Sequence, residues 1–191
     1  DSNFMRIGNL CVTRKNMGDS SILTIPSSVS IANARDEFCY ASNSKCCWKG
    51  KTAYEGSCDA SNGTYSGCTR TACNWAAANE ICSKFTYGGK TWRLPTLEEM
   101  ANWNNFSFYL GNNGLMLCEG SGKNGNIASS CQNVGNVCLG TNYNNCGINV
   151  VWGTNSSGSI ANLGELFQGG WTIGQGSKFN ANGVRCVADM E

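Results

Sequence analysis

At 191 residues the chain is long enough to bury roughly 70% of its unfolded surface around one core, and too short for two full domains. A net charge of +1 without any basic run removes the electrostatic argument for a nucleic-acid partner or an anionic membrane. Thirteen cysteines, with no histidine and no CxxC spacing, point to disulfides in an oxidising compartment and away from zinc. The number is odd, so at least one cysteine is free, paired between chains or parted from its partner. Charged residues make up 14% of the chain, against about 25% in ordinary soluble domains, while asparagine supplies 25 residues and glycine 24. The polar surface is therefore built from amides and hydroxyls. No apolar run is long enough to span a bilayer and no signal peptide is seen at Asp1, so export implies a targeting or anchoring segment cleaved or left out. A lipoprotein, a pilin and a phage-particle protein would each leave that remnant.

In chain order, residues 1–38 alternate short apolar stretches (Ile22, Leu23, Ile25; Val29, Ile31) with polar residues and Pro26, and read as an N-terminal extension of strands or irregular chain. Residues 39–191 form the main domain. It opens with six cysteines between Cys39 and Cys73, around an aromatic focus at Trp48 to Tyr54 that predicts a strand and a cross-linked loop. Trp75, Ala78, Cys82 and Phe85 recur at helical spacing, and Gly88-Gly89 can end that helix. A strand over Lys90 to Leu94 should follow. Thr96 and Glu99 then stand three apart as a capping box, flanked by Pro95 and Met100 where a hydrophobic staple would pack.

Beyond Trp103 the chain is rich in Asn, Gly, Ser and Cys with little periodicity up to about residue 146, which predicts long disulfide-held loops. GINVVWG (147–153) reads as a buried strand, Ile160 to Trp171 as strand or loop, and GVRCVA (183–188) as a closing strand. Two helices set early in a chain of strands and loops give an α+β domain.

The runs NWAAANEICSKF (74–85), GGKTWRLPTLEEMANW (88–103) and GVRCV (183–187) resemble bacterial C-type-lectin-like domains. The branch that contains relatives of formylglycine-generating enzyme, Lcl C-terminal domains and the variable proteins of diversity-generating retroelements is the most similar. These motifs cover a minority of the chain, and WRLPT with its short acidic helix is the most specific of them. The resemblance implies a C-type-lectin-like fold, with two short helices on antiparallel strands and long disulfide-linked loops. It also implies a disulfide between Cys82 and Cys186, although local bridges for each remain the alternative. In a chain-entropy picture, closing a loop of roughly 100 residues contributes about 4.7 kcal/mol.

Trp92, Arg93, Leu94, Pro95, Thr96 and Glu99 are expected to be structural, with Trp92 in the core and Arg93 holding carbonyl and carboxylate oxygens. Glu98 and Glu99 are sequence neighbours that do not face each other on a helix, so they suit helix-end stabilisation rather than paired acid/base work. The chain departs from calcium-dependent sugar-binding lectins, because neither Pro26 nor Pro95 sits in a motif of the EPN or QPD type. For oxidase activity of the formylglycine-generating type Cys138 and Cys146 could be nominated, but a structural bridge is the simpler role. Serine or cysteine nucleophiles lack a histidine base. No catalytic residue, metal or cofactor is expected.

Recognition is expected on loops. Asn142, Tyr143, Asn144, Asn145, Asn149, Asn155, Trp171, Phe179, Asn180 and Asn182 offer an uncharged surface of amides and aromatics, comparable in chemistry to antibody loops. The resemblance to retroelement-diversified proteins implies that such clustered asparagines are targets of sequence diversification, although asparagines at 102, 104, 105, 112, 113, 124 and 126 favour an Asn-rich composition throughout. The leading expectation is an extracellular, bacterial cell-surface or phage-particle module for adhesion or recognition, with a protein or glycan ligand. The alternatives are a homo-oligomeric, pilus-like filament subunit without its N-terminal anchor, and an oxidase.

Overall fold

A computed structural model describes residues 3–32, 44–49, 59–60, 63–64, 71–105, 107–111, 114–118, 150–167 and 170–190. Strands predominate, with two short α-helices among them, so the class is α+β. The best-anchored helix, α1 (Trp75–Lys84), starts because Asn74 is extended and its side-chain oxygen accepts from the Ala77 amide at 3.0 Å. Ala77, Ala78, Ile81 and Cys82 form its buried face. Of the expected stripe, Ala78, Cys82 and Phe85 are buried, while Trp75 is half-buried against the same core and sends its indole N–H to the Gly153 carbonyl at 2.9 Å. The helix stops at Lys84, before the glycine pair, with Phe85 already extended. Gly88 and Gly89, at φ 63° and 66°, instead turn the chain into β8 (Trp92–Arg93), which is shorter than expected.

The termini meet in one antiparallel sheet. Strands β1 (Phe4–Ile7) and β2 (Leu10–Thr13) form a hairpin. The closing strand β14 (Val187–Asp189) lies between β2 and β8, giving the order β1-β2-β14-β8. Residues 4–13 therefore share a sheet with the closing strand, while residues 33–43, where the expected boundary falls, lie outside the described residues. Met5, Ile7 and Val12 point into the same apolar cluster as Val187 and Met100, which holds the hairpin on the core. Residues 30–32 are built in as well. Strand β3 (Ser30–Ala32) runs parallel to β4 (Cys46–Lys49), which pairs antiparallel with β7 (Thr71–Cys73).

Further along, β5 (Asp59–Ala60) pairs with β6 (Gly63–Thr64), and β9 (Ser107–Gly111) with β10 (Gly114–Cys118). A three-stranded antiparallel meander follows, made of β11 (Val150–Ser157), β12 (Ile160–Phe167) and β13 (Gly170–Ser177). The chain joins the expected strand 147–153 at Val150; residues 147–149 lie outside the described residues. GVRCVA pairs as a strand only from Val187, with Gly183 bridging to Val151 just before it.

The main core lies between α1, β8 and β11, where Ala78, Ile81, Trp92, Leu94, Trp152 and Val184 pack together. The Trp152 indole has no exposed surface, and its N–H donates to the Cys73 carbonyl at 2.7 Å, which satisfies its polar atom inside the core. Two disulfides reinforce this centre, Cys47–Cys73 and Cys82–Cys186. The second joins helix α1 to the residue before β14 across 104 positions of sequence.

Candidate functional site

The WRLPT segment folds as a clamp. Thr96 caps helix α2 (Leu97–Ala101), with its hydroxyl accepting from the Glu99 amide at 3.2 Å while a Glu99 oxygen accepts from the Thr96 amide at 2.8 Å. Glu99 also receives both terminal nitrogens of Arg93, at 2.6 and 2.7 Å, and Arg93 reaches Asp189 at 3.3 Å. One guanidinium thus joins β8, the first turn of α2 and β14. The planar fork of arginine makes this two-pronged contact and lysine cannot. Trp92 is buried and donates to the Tyr87 carbonyl at 3.1 Å; Leu94 and Pro95 are buried beside it. These six motif residues build scaffold.

Burial would raise the Glu99 carboxyl, yet hydrogen bonds from Arg93 and Thr96 outweigh it and hold the group below the usual glutamate range. A carboxyl more acidic in the folded chain than in the unfolded one stabilises above its ordinary value and loses that contribution as pH falls through the folded value. Glu99→Gln should therefore flatten the acid limb of the stability profile, read by urea unfolding at a series of pH values. At neutral pH it should cost about 1 kcal/mol, because the pair is partly solvated. An unchanged acid limb in the variant would show that Glu99 does not contribute to it.

The expected binding residues separate into three groups. Asn142, Tyr143, Asn144, Asn145 and Asn149 lie outside the described residues, as do Cys138 and Cys146. Asn155 is exposed, and its side-chain oxygen accepts from the Leu97 amide at 2.9 Å, so it already helps to close the helix end. Phe179 and Asn180 are half-buried in the turn after β13, where the Asn180 amide donates to the Ser177 carbonyl at 3.0 Å. Beside them the Lys178 ammonium sits 4.3 Å from the centre of the Trp75 ring.

Trp171 and Asn182 correct the expectation of an open loop surface. Trp171 is buried against Gly164 and Trp103, and its indole N–H donates to the Met100 carbonyl at 2.8 Å. Asn182 is buried and exchanges two backbone hydrogen bonds with Cys73, at 2.8 and 3.0 Å. An aromatic and an amide look like contact residues by composition, but the Trp171 indole is bonded inside the fold and Asn182 is held there by its backbone, its side-chain amide nitrogen meeting no acceptor among the described residues.

Other features gave no sequence signal as sites. The glycine turn borders an open polar depression of about 570 Å³, lined by Gly88, Gly89, Lys90, Thr91, Asp189 and Met190. Cys11 on β2 is a free, half-buried cysteine whose thiol is pushed up by burial, with Lys90 opposing. Arg185, which belongs to the GVRCVA run, is fully buried, and desolvation lowers it to about 9 against the attraction of Asp19. Among the described residues no helix is long and apolar enough to cross a membrane. No family model, curated protein or solved structure matches the chain.

Proposed function

We propose that this chain is a non-catalytic, C-type-lectin-like binding module that acts at a bacterial surface, in the extracellular medium or on a phage particle. Its ligand is a protein or a glycan. The observation that carries this reading is the closure of the frame: Cys82 on α1 is bonded to Cys186, and the strand that follows pairs with both the N-terminal hairpin and β8. Rigid scaffolds presenting variable loops are a common basis of recognition, and a closed frame of this kind is such a scaffold. Disulfides in the core accord with an oxidising compartment.

The residues assigned to contact are Asn142, Tyr143, Asn144, Asn145 and Asn149, which lie outside the described residues, together with Asn155, Phe179 and Asn180. Uncharged amides beside aromatic rings suit a neutral partner met at short range, because little long-range steering is available at a net charge of +1. The test is to probe the purified domain against arrayed glycans and intact bacterial cells, and then to repeat the measurement with the combined variant Asn144→Ala, Asn145→Ala and Asn180→Ala. Specific binding should appear and should weaken at least about tenfold in the variant, as expected when a few central contacts dominate, with the melting temperature unchanged. No ligand in either format, or affinity indifferent to the three substitutions, would refute the reading. Copper-dependent oxidation of a peptide cysteine by the intact protein would replace it with an enzyme.

A further inference from the structure

Just before the closing strand lies a buried charge whose hydrogen bonding is incomplete. Arg185 has no exposed surface. Its Nε donates to the Asn16 side-chain oxygen at 2.7 Å and its Nη1 to the Thr13 carbonyl at 3.1 Å, whereas Nη2 meets no acceptor. Asn16 is fully buried too, and its own amide nitrogen is also without an acceptor. Exchanging the oxygen and nitrogen of Asn16 would not help, because Nε would then face a donor. In a planar guanidinium, Nη2 carries a hydrogen on the same side as Nε–H, so it points towards the Asn16 amide. Two orphaned donors on contacting side chains thus border one spot.

Among the described residues no carboxylate comes within ion-pair distance of Arg185, and Asp19 acts on it only as a more distant charge. A buried charge is costly unless paired, and each buried donor without an acceptor adds to the cost. A water molecule would accept from both nitrogens but would bring two protons needing acceptors of their own. An anion accepts from both and also offsets the charge. Gly183 lies close against the Asn16 amide, so that a Cβ there would stand 2.8 Å from its nitrogen.

We propose that the Asn16 amide and the outer nitrogen of Arg185 bind one small monovalent anion of halide size, chloride in a saline medium. The ion would lock the 13–17 segment to the chain around Cys186. That junction is already drawn together by Thr13 N–H to the Cys186 carbonyl and Cys186 N–H to the Thr13 hydroxyl, each at 3.1 Å, and by Met17 N–H to the Val184 carbonyl at 2.8 Å. The inference is independent of what the loops bind.

The test begins with protein unfolded and refolded in methanesulfonate salts, then melted at constant ionic strength while chloride replaces methanesulfonate up to about 300 mM, a range over which a ligand specific to the native state raises the midpoint progressively. The midpoint should climb by several degrees. Crystals grown with bromide should show an anomalous peak within hydrogen-bonding distance of both nitrogens. Asn16→Asp supplies a carboxylate oxygen in place of the ion, so its midpoint should no longer respond to chloride. A wild-type midpoint indifferent to chloride, a water in place of the bromide peak, or an Asn16→Asp protein that keeps the full response would each overturn the proposal.

Discussion

Replacing Cys82 and Cys186 together by alanine should lower the unfolding free energy by about 4 to 5 kcal/mol, as expected for a loop of this length. The bond spans 104 positions, and a chain-entropy model assigns about 4.7 kcal/mol to closing a loop of roughly that size. By the same relation the Cys47–Cys73 bond, with a separation of 26, contributes about 3.5 kcal/mol, so it should be the lesser loss. Both sulfurs of the long-range pair are buried, and the alanines would leave small voids beside Ile81 and Val184 that add to the entropic cost. Guanidinium unfolding of the double variant checks the number. A loss below about 1.5 kcal/mol, half the stabilisation typical of a disulfide, would mean that the sheet order β1-β2-β14-β8 holds the termini without the bond. Native protein should also resist thiol reductants at this pair until it unfolds, which alkylation and peptide mapping can follow.

Gly164→Val should cost about 3 to 5 kcal/mol, the range observed when a buried tryptophan loses its packing. A Cβ at position 164 would lie 2.0 Å from the Trp171 ring, which belongs to the core rather than to a flexible side-chain end. The indole would have to leave its place, giving up the hydrogen bond to the Met100 carbonyl and its stacking on Trp103 at 5.9 Å between ring centres. Those contacts bind the meander to α2 and the short 3-10 turn after it (Asn102–Asn105), so the damage should spread to both. A double-mutant cycle separates the causes: once Trp171 is already alanine, adding Gly164→Val should cost little more. Equal costs in both backgrounds would show that the valine acts through the strand backbone and not through the ring.

What could be read from the chain alone follows the range of the forces involved. The capping box at Thr96 and Glu99 depends on atoms three residues apart, and it stands as read. Helix α1 was visible in its spacing of apolar residues. Ala78, Cys82 and Phe85 are buried as that spacing indicates, but the helix ends at Lys84 and not at the glycine pair. Arg93 was legible as a partner of carboxylates, but which carboxylates it takes depended on α2 and β14 arriving beside it.

Tertiary structure decided the fate of residues whose type suits either environment. Trp171 and Asn182 share the composition of the Asn-rich, aromatic stretch around them, and only Gly164 and Cys73, brought close by strand pairing, draw them inside. The strands at 4–7 and 10–13, FMRI and LCVT, are apolar but only four residues long, too short to show which sheet they join; pairing of β2 with β14 decides it. Arg185 is the clearest case, since a charged residue in GVRCVA looks like an outward position on a closing strand until Thr13 and Asn16 are folded over it. Local order was thus written in spacings of a few residues, whereas burial of polar and aromatic groups was settled by partners that the fold brings together, such as Met100 for Trp171, 71 positions away, and Asn16 for Arg185, 169 positions away.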